Sequence, residues 1–440
     1  MGNRYFLYRS ATVASLAGFL FGFDTVVISG AEQTIQSLWG LGSTMHGLAI
    51  SMALWGTVVG SMIGGWPTDN LGRRKTLLWI GILYLVSAIG SALAPEVYSF
   101  MVSRFIGGLG IGISTVAAPL FISEIAPPKY RGRLAGMFQF NIVFGILVAF
   151  LSNSLLIGIG DNGWRWMLGV VAFPSLIFAL FCIGLPESPR WLITKKGDRE
   201  RGISVFKRIN PDFTTDELNS LVSEIETLDQ RPQKSNSFFT ASLYKPIFLA
   251  FFIAFFNQLS GINAILYFAP RIFEMTGLES HAALLQSVGI GITNLVFTFA
   301  GLWLIDRLGR RTLLYIGSFG YIASLGLCSW AFSTGKVSIV PIFIFAFIAA
   351  HAIGQGAVIW VFISEIFPNR QRANGQAFGS FTHWFFAASL TLVFPYMAET
   401  FAPELIFGLF CGMMVLQLVW VRFFVPETKG VSLEKMEQIL

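Results

Sequence analysis

Two charges stand in the middle of apolar runs, Asp24 in "LAGFLFGFDTVVISGA" and Arg104 in "FMVSRFIGGLGIGIS". A charge at the centre of a bilayer costs about 2.5 to 3.5 kcal/mol even on the gentlest scale, so each needs a partner, and their opposite signs suit them to one another. A fixed structural ion pair and a site that takes up and loses a proton are both open readings. A second group is uncharged. Asn257, Gln258 and Asn263 lie in "FFNQLSGINAILYF", Asn294 in "GITNLVFTF", Trp360 in "GAVIWVFISE", and His383 with Trp384 in "SFTHWFF", while Phe21 and Gln139 come from the first half of the chain. Amides offer both donors and acceptors, and an aromatic face suits a C–H surface, so these residue types fit a neutral, hydroxyl-rich ligand. Intramembrane amides can also simply join helices. Gln258 and Asn263, five apart, share a helix face only where the helix loosens, and Gly261 between them permits that.

The elements that position these residues follow from composition. The chain has 440 residues, 54% hydrophobic and 12% charged, with a mean hydropathy of +0.66. That is too apolar for a soluble domain. Runs long enough for helical spans are expected at 8–31, 46–68, 76–94, 97–122, 133–155, 166–185, 245–270, 281–305, 312–333, 338–363, 374–396 and 402–424, each meeting the requirement of about 20 apolar residues. The first run is expected to be a span rather than a cleaved signal. Cys182, Cys328 and Cys411 all fall in these runs and read as apolar fillers.

The net charge of +6 does not point to nucleic acid, because the basic residues are sorted by side. With both termini cytoplasmic, Arg73, Arg74, Lys75, Lys129, Arg131, Arg133, Arg307, Arg310, Arg311, Arg370 and Arg372 fall inside, and Arg165, Arg271 and Lys336 outside.

The chain also repeats itself. "WPTDNLGRRKTLL" returns as "WLIDRLGRRTLL", with Asp306 placed 237 positions after Asp69, and "FISEIAPPKYRGR" returns as "FISEIFPNRQRAN", with Glu365 placed 241 after Glu124. "LPESPR" is echoed by "VPETKG". Repeats at nearly one offset, each at the same end of a span, predict two parallel six-span halves. The expected organisation is a bundle over 1–187, a cytoplasmic helical linker over 188–244, a second bundle over 245–425 and a short tail over 426–440. In the linker, Ile203, Phe206 and Ile209, then Leu218, Leu221, Ile225 and Leu228, are spaced as in amphipathic helices, with Thr215 as a candidate N-cap. Such helices are expected to brace the two halves.

The repeated motifs carry charge to the inner mouth. The expected pairs are Asp69 with Arg73, Glu124 with Arg131, Asp306 with Arg310, Glu365 with Arg372, and Glu187 with Arg190. Acting between the halves, they would form a gate that breaks when the inner side opens.

Taken in order, "GFDTVVISG", "DNLGRRK", "RGRLAG", "PESPRWL", "NQLSGIN", "DRLGRRT", "SEIFP" and "PETKG" resemble the sugar porter branch of the major facilitator superfamily over nearly the whole chain. The resemblance implies an all-α membrane protein of twelve helices in two bundles, a sugar site at mid-membrane and alternating access. It also implies sugar contacts at Gln139, Gln258, Asn263, Asn294 and Trp360, and proton coupling at Asp24, where facilitators commonly carry Asn. The sequence departs from the family pattern in having Asn257 before Gln258, Ile146 on the fifth span, Ala357 where a proline is usual and His383 where an amide is usual. A histidine can imitate an amide, and its charge can change between about pH 5 and 8. His351 is read as structural.

The expectation is a multi-pass transporter of a hexose or pentose in the cell membrane. It would be a monomer, its partners a neutral sugar, a proton and the bilayer, with no nucleic acid and no cofactor beyond the proton as co-substrate. Symport and facilitated diffusion both remain open. A non-transporting sensor is less favoured, since such sensors usually add a long tail. An enzyme is not expected, because no metal cluster, catalytic carboxylate pair or nucleophile with its base stands at mid-membrane.

Overall fold

A computed structural model of the chain describes residues 5–127, 130–211, 213–229, 238–368, 371–431 and Met436. Among the described residues, twelve helical segments are long and apolar enough to cross a membrane: Tyr5–Gly30, Ser43–Ile63, Arg73–Leu93, Val97–Ile125, Arg133–Leu156, Gly163–Ile183, Ala241–Tyr267, Ser280–Leu308, Arg310–Ser333, Val337–Ile366, Arg372–Thr400 and Pro403–Phe423. Their number and order agree with the sequence expectation, and the chain is an all-α multi-pass membrane protein of two six-helix bundles. Large apolar side chains such as Trp66, Leu93, Phe173 and Phe423 are exposed on the outside, where lipid rather than water is the fitting solvent.

Within the first bundle, the first span packs on the fifth and the second on the fourth; within the second bundle, the ninth packs on the twelfth and the seventh on the eleventh. The bundles meet where the second span packs on the eleventh and the fifth on the eighth.

Three spans are interrupted, and two of the breaks matter for the site. The seventh is helical over Tyr244–Leu259 and again over Ile262–Tyr267. Between them Gly261 has φ 87°, a left-handed conformation that side chains resist, and a Cβ there would come within 2.6 Å of the Phe410 ring. The tenth span breaks at Gly354, between Val340–Ile353 and Gln355–Ile366.

After the sixth span come three short helices, Pro189–Thr194, Arg199–Ile209 and Thr215–Asp229. Ser188 and Asp198 cap the first two. The third is capped by Thr214, one residue before the expected Thr215. Thr214 Oγ1 accepts the Glu217 N–H at 3.2 Å while the Glu217 carboxylate accepts the Thr214 N–H at 2.8 Å, a reciprocal box that needs a spacing of three. These hydrogen bonds hold the Glu217 carboxyl below its usual range. Ile193, Phe206, Leu218, Val222 and Ile225 form a core of their own, so the expected stripes do face inward; the Leu228 side chain lies outside the described residues. The expected brace between halves is seen on one side. The helices lean on the first bundle, with Trp191 Nε1 donating to the Asp69 carbonyl oxygen at 2.7 Å and Arg208 lying 4.1 Å over the Phe6 ring. Farther along, Phe238 stacks on Phe367 of the second bundle.

Candidate functional site

Asp24 and Arg104 meet. Arg104 Nη1 donates to Asp24 Oδ1 at 2.8 Å and Nη2 to the Asp24 carbonyl oxygen at 3.0 Å. The two side chains are 1% and 2% exposed, so the pair is sealed inside the first bundle. Asp24 Oδ2 and Arg104 Nε are buried with no hydrogen-bonding partner among the described residues. The pair is therefore attached by one edge, and one carboxylate oxygen is left available.

The amide group assembles around the break at Gly261. Asn263 Nδ2 donates to Gln258 Oε1 at 2.7 Å, Gln258 Nε2 donates to Asn257 Oδ1 at 2.9 Å, and the same nitrogen lies 3.1 Å from His383 Nε2. His383 is edged by the Trp384 ring at 4.7 Å and the Trp360 ring at 5.1 Å between centroids. Phe21 of the first bundle faces Trp384 of the second at 5.5 Å, so the two bundles share this wall. The Trp384 indole N–H is buried without a partner among the described residues. Gln139 lies on the fifth span and Asn294, 8% exposed, on the eighth, and among the described residues neither side chain has a hydrogen-bonding partner. The arrangement offers amide donors and acceptors, an indole N–H without a partner among the described residues and three aromatic rings.

At the face where the first span begins, the expected pairs Asp69–Arg73 and Asp306–Arg310 form, whereas Glu365–Arg372 and Glu187–Arg190 do not. Arg73 Nε and Nη2 make a two-pronged contact with the Glu124 carboxylate at 2.9 and 2.8 Å, and Nη1 reaches Asp69 at 3.2 Å. Arg310 repeats this with Glu365 at 3.0 and 2.7 Å and with Asp306 at 3.2 Å. Glu365 thus pairs with Arg310 and not with Arg372, and Glu124 is held by Arg73. The Arg131 side chain, and all of Lys129 and Arg370, lie outside the described residues. Arg372 Nε and Nη2 are buried and without a partner among the described residues. Glu187 does not pair with Arg190. Its Oε1 accepts the backbone N–H groups of Arg73, Arg74 and Ser188 at 2.8, 3.1 and 2.9 Å. Burial raises the Glu187 carboxyl above its usual range, against those hydrogen bonds. Glu427 in "VPETKG" does the same for Arg310 and Arg311. Every one of these contacts joins elements of one bundle. They stay within one half because the forks of Arg73 and Arg310, each at the start of its span, point at the neighbouring span end of the same repeat.

The opposite face carries a cluster that the sequence reading passed over. Glu32, just after the first span, accepts from Arg271 Nε at 2.9 Å and from Arg271 Nη2 at 2.7 Å. Arg271 Nη2 also reaches Gln36 Oε1 at 2.6 Å, Gln33 Nε2 donates to Glu274 at 2.8 Å, and His46 Nε2 lies 2.7 Å from Glu32 Oε2. Glu32 and His46 are fully buried. The bonds of Arg271 and Glu274 to Glu32, Gln36 and Gln33 do cross between the halves, while His46 supports Glu32 from within the first. The signal in the sequence was an acid and a histidine flanking one loop, "AEQTIQSLWGLGSTMHG". Two further buried amides, Gln355 and Gln417, were also missed, although each interrupts an apolar span as the named amides do.

Comparison with known proteins agrees with this architecture. The chain is 35% identical to the arabinose-proton symporter of Bacillus subtilis (strain 168), over 99% of this chain and 95% of that protein. It is 30% identical to the D-xylose-proton symporter of Escherichia coli (strain K12), over 99% and 96%. Among solved structures, it superposes on the inward open conformation of the xylose transporter XylE from E. coli with a TM-score of 0.87 at 30% identity, covering 98% of this chain and 99% of that one. With XylE bound to 6-bromo-6-deoxy-D-glucose the TM-score is 0.81 at 30% identity, covering 99% of each chain. Residues 10–440 match the family described as "Sugar (and other) transporter", and the chain belongs to that family, the sugar porters of the major facilitator superfamily.

Proposed function

We propose that the protein carries a neutral monosaccharide across the cell membrane by alternating access, together with a proton. The observation that carries the coupling is the sealed Asp24–Arg104 pair with its unpartnered Asp24 Oδ2. A proton reaching Oδ2 would turn Asp24 into a neutral acid and leave the Arg104 guanidinium without its counter-charge, which drives Arg104 towards water or another partner, and loss of the proton would restore the pair. Gln139, Gln258, Asn263 and Asn294 hydrogen-bond the sugar hydroxyls, Trp384 donates its free N–H, and Trp360 and Phe21 cover the ring. The named relatives carry arabinose or xylose with protons, which supports this class of substrate. Pentoses and hexoses share the pattern of vicinal hydroxyls that these amides can meet.

The face bearing the termini, with Arg73, Arg74, Arg310 and Arg311, lies in the cytoplasm, as the distribution of basic residues supports. On that orientation the Glu32–Arg271 cluster is an outer latch, joined in this structure. The Arg73 and Arg310 clusters bind each half into a body that rocks as a unit, while Asp69, Asp306 and Arg190 line the inner rim. The protein works as a monomer. Uptake of arabinose, xylose, glucose and galactose into proteoliposomes, with and without an imposed pH gradient, tests the proposal. At least one sugar should accumulate only when the outside is acidic, and equal uptake under both conditions would favour facilitated diffusion.

A further inference from the structure

Behind the amides that face the site runs a continuous line of buried polar side chains. Gln258 Nε2 donates to Asn257 Oδ1 at 2.9 Å, Asn257 Nδ2 to Gln355 Oε1 at 3.5 Å, Gln355 Nε2 to Gln417 Oε1 at 2.9 Å, and Gln417 Nε2 to Ser318 Oγ at 2.8 Å. The line crosses the seventh, tenth, twelfth and ninth spans, and each of these five side chains belongs to a residue no more than 2% exposed. Gln355 follows the break at Gly354, and Gly354 lies so close to Gly317 that a Cβ on either would come within 3 Å of the other's Cα. That approach brings Gln355 to Gln417, which is tied to Ser318 next to Gly317.

A carboxamide has an acceptor on one side and donors on the other, and in a dry interior neither side can be left facing its like. If Gln258 turned over, its oxygen would meet Asn257 Oδ1. Asn257 would then have to turn, and after it Gln355 and Gln417, before Ser318 could adapt by rotating its hydroxyl. The four amides therefore hold one common direction, and in this direction Gln258 spends one N–H on Asn257 and points the other towards His383.

We propose that Gln355 and Gln417 are positioning residues for substrate selection: through Asn257 they set which end of the Gln258 carboxamide the sugar meets, and so which hydroxyl configurations are accepted. They do not touch the sugar themselves. This rests on Gln258 being a sugar contact.

The test uses the full-length protein in proteoliposomes and a panel of monosaccharide epimers and deoxy analogues, with KM and maximal rate measured for each. Gln417→Met keeps the side-chain length and breaks the line. Selectivity between epimers should shift by about fivefold to thirtyfold in KM, the effect of losing one well-placed hydrogen bond, while the maximal rate for the preferred sugar stays within about twofold. In an Asn257→Ala background, where the line is already cut, Gln417→Met should shift selectivity no further. A purely structural role would lower Tm and reduce all sugars in proportion with their ranking unchanged, and that result overturns the proposal, as does a full additional shift in the Asn257→Ala background. Should Gln417→Met not fold, Ser318→Ala removes only the last acceptor and is expected to move selectivity in a smaller step; an unchanged ranking there also overturns it. A parent protein that takes up no member of the panel contradicts the sugar reading and this inference together, whereas uptake with unaltered ranking contradicts the inference alone.

Discussion

Glu32 and Arg271, which lie 239 positions apart on opposite halves of the chain, are joined by two hydrogen bonds of 2.9 and 2.7 Å with Glu32 fully buried. Breaking a buried, hydrogen-bonded charge pair by removing one partner costs about 2 to 5 kcal/mol. On the proposed orientation this joined face is the outer one, and it should open more often once the pair is lost. In Arg271→Ala, a cysteine placed at Ser29, buried beneath the cluster, should react with a membrane-impermeant thiol reagent added outside at least about tenfold faster than in the parent. An unchanged labelling rate would remove the latch from the account.

The seventh-span break gives a prediction about stability. Gly261→Ala must place a side chain at φ 87° and against the Phe410 ring, so it should cost about 1 to 3 kcal/mol and lower Tm. Gly136, in the fifth span with nothing within 4 Å of its would-be Cβ, supplies the contrast: Gly136→Ala should be neutral or stabilising by up to about 1 kcal/mol. Equal Tm values for the two variants would show that the break is not held by its geometry.

The duplicated arginine clusters give a third. Each makes a two-pronged contact that a lysine cannot copy, so Arg73→Lys and Arg310→Lys should each lower thermal stability. Because Arg73 binds within one bundle and Arg310 within the other, the double variant should show the sum of the two losses to within about 0.5 kcal/mol. A coupling above about 1 kcal/mol in a double-mutant cycle would mean that the clusters act across the halves after all.

Much of this was legible in the sequence where the physics leaves few choices. Asp24 and Arg104 could be paired across 80 positions because each is too costly to stand alone in an apolar span, and no other charges of that depth compete. The twelve spans and the two halves followed from apolar length and from the repeated "LGRR" and "SEI" motifs. At the face of the arginine clusters the same reasoning had too many candidates. Glu365 has Arg310, Arg370 and Arg372 as nearby candidates in the sequence, and helix rotation, which no motif encodes, gave it Arg310 rather than Arg372. The role of Glu187 was hidden for another reason: it accepts backbone N–H groups, and backbone partners leave no mark in side-chain patterns. Glu32 and Arg271 lie at loop edges where charges are ordinary, and Gln355 and Gln417 are single polar residues in apolar runs whose meaning appears only when four helices come together.

The central claim is that Asp24 carries the proton, and Asp24→Asn keeps its shape while removing its charge. Proteoliposomes containing this variant should still exchange internal for external labelled sugar at a rate comparable to the parent, yet fail to concentrate that sugar when the outside is made acidic. Undiminished accumulation driven by the pH gradient in Asp24→Asn would contradict the account.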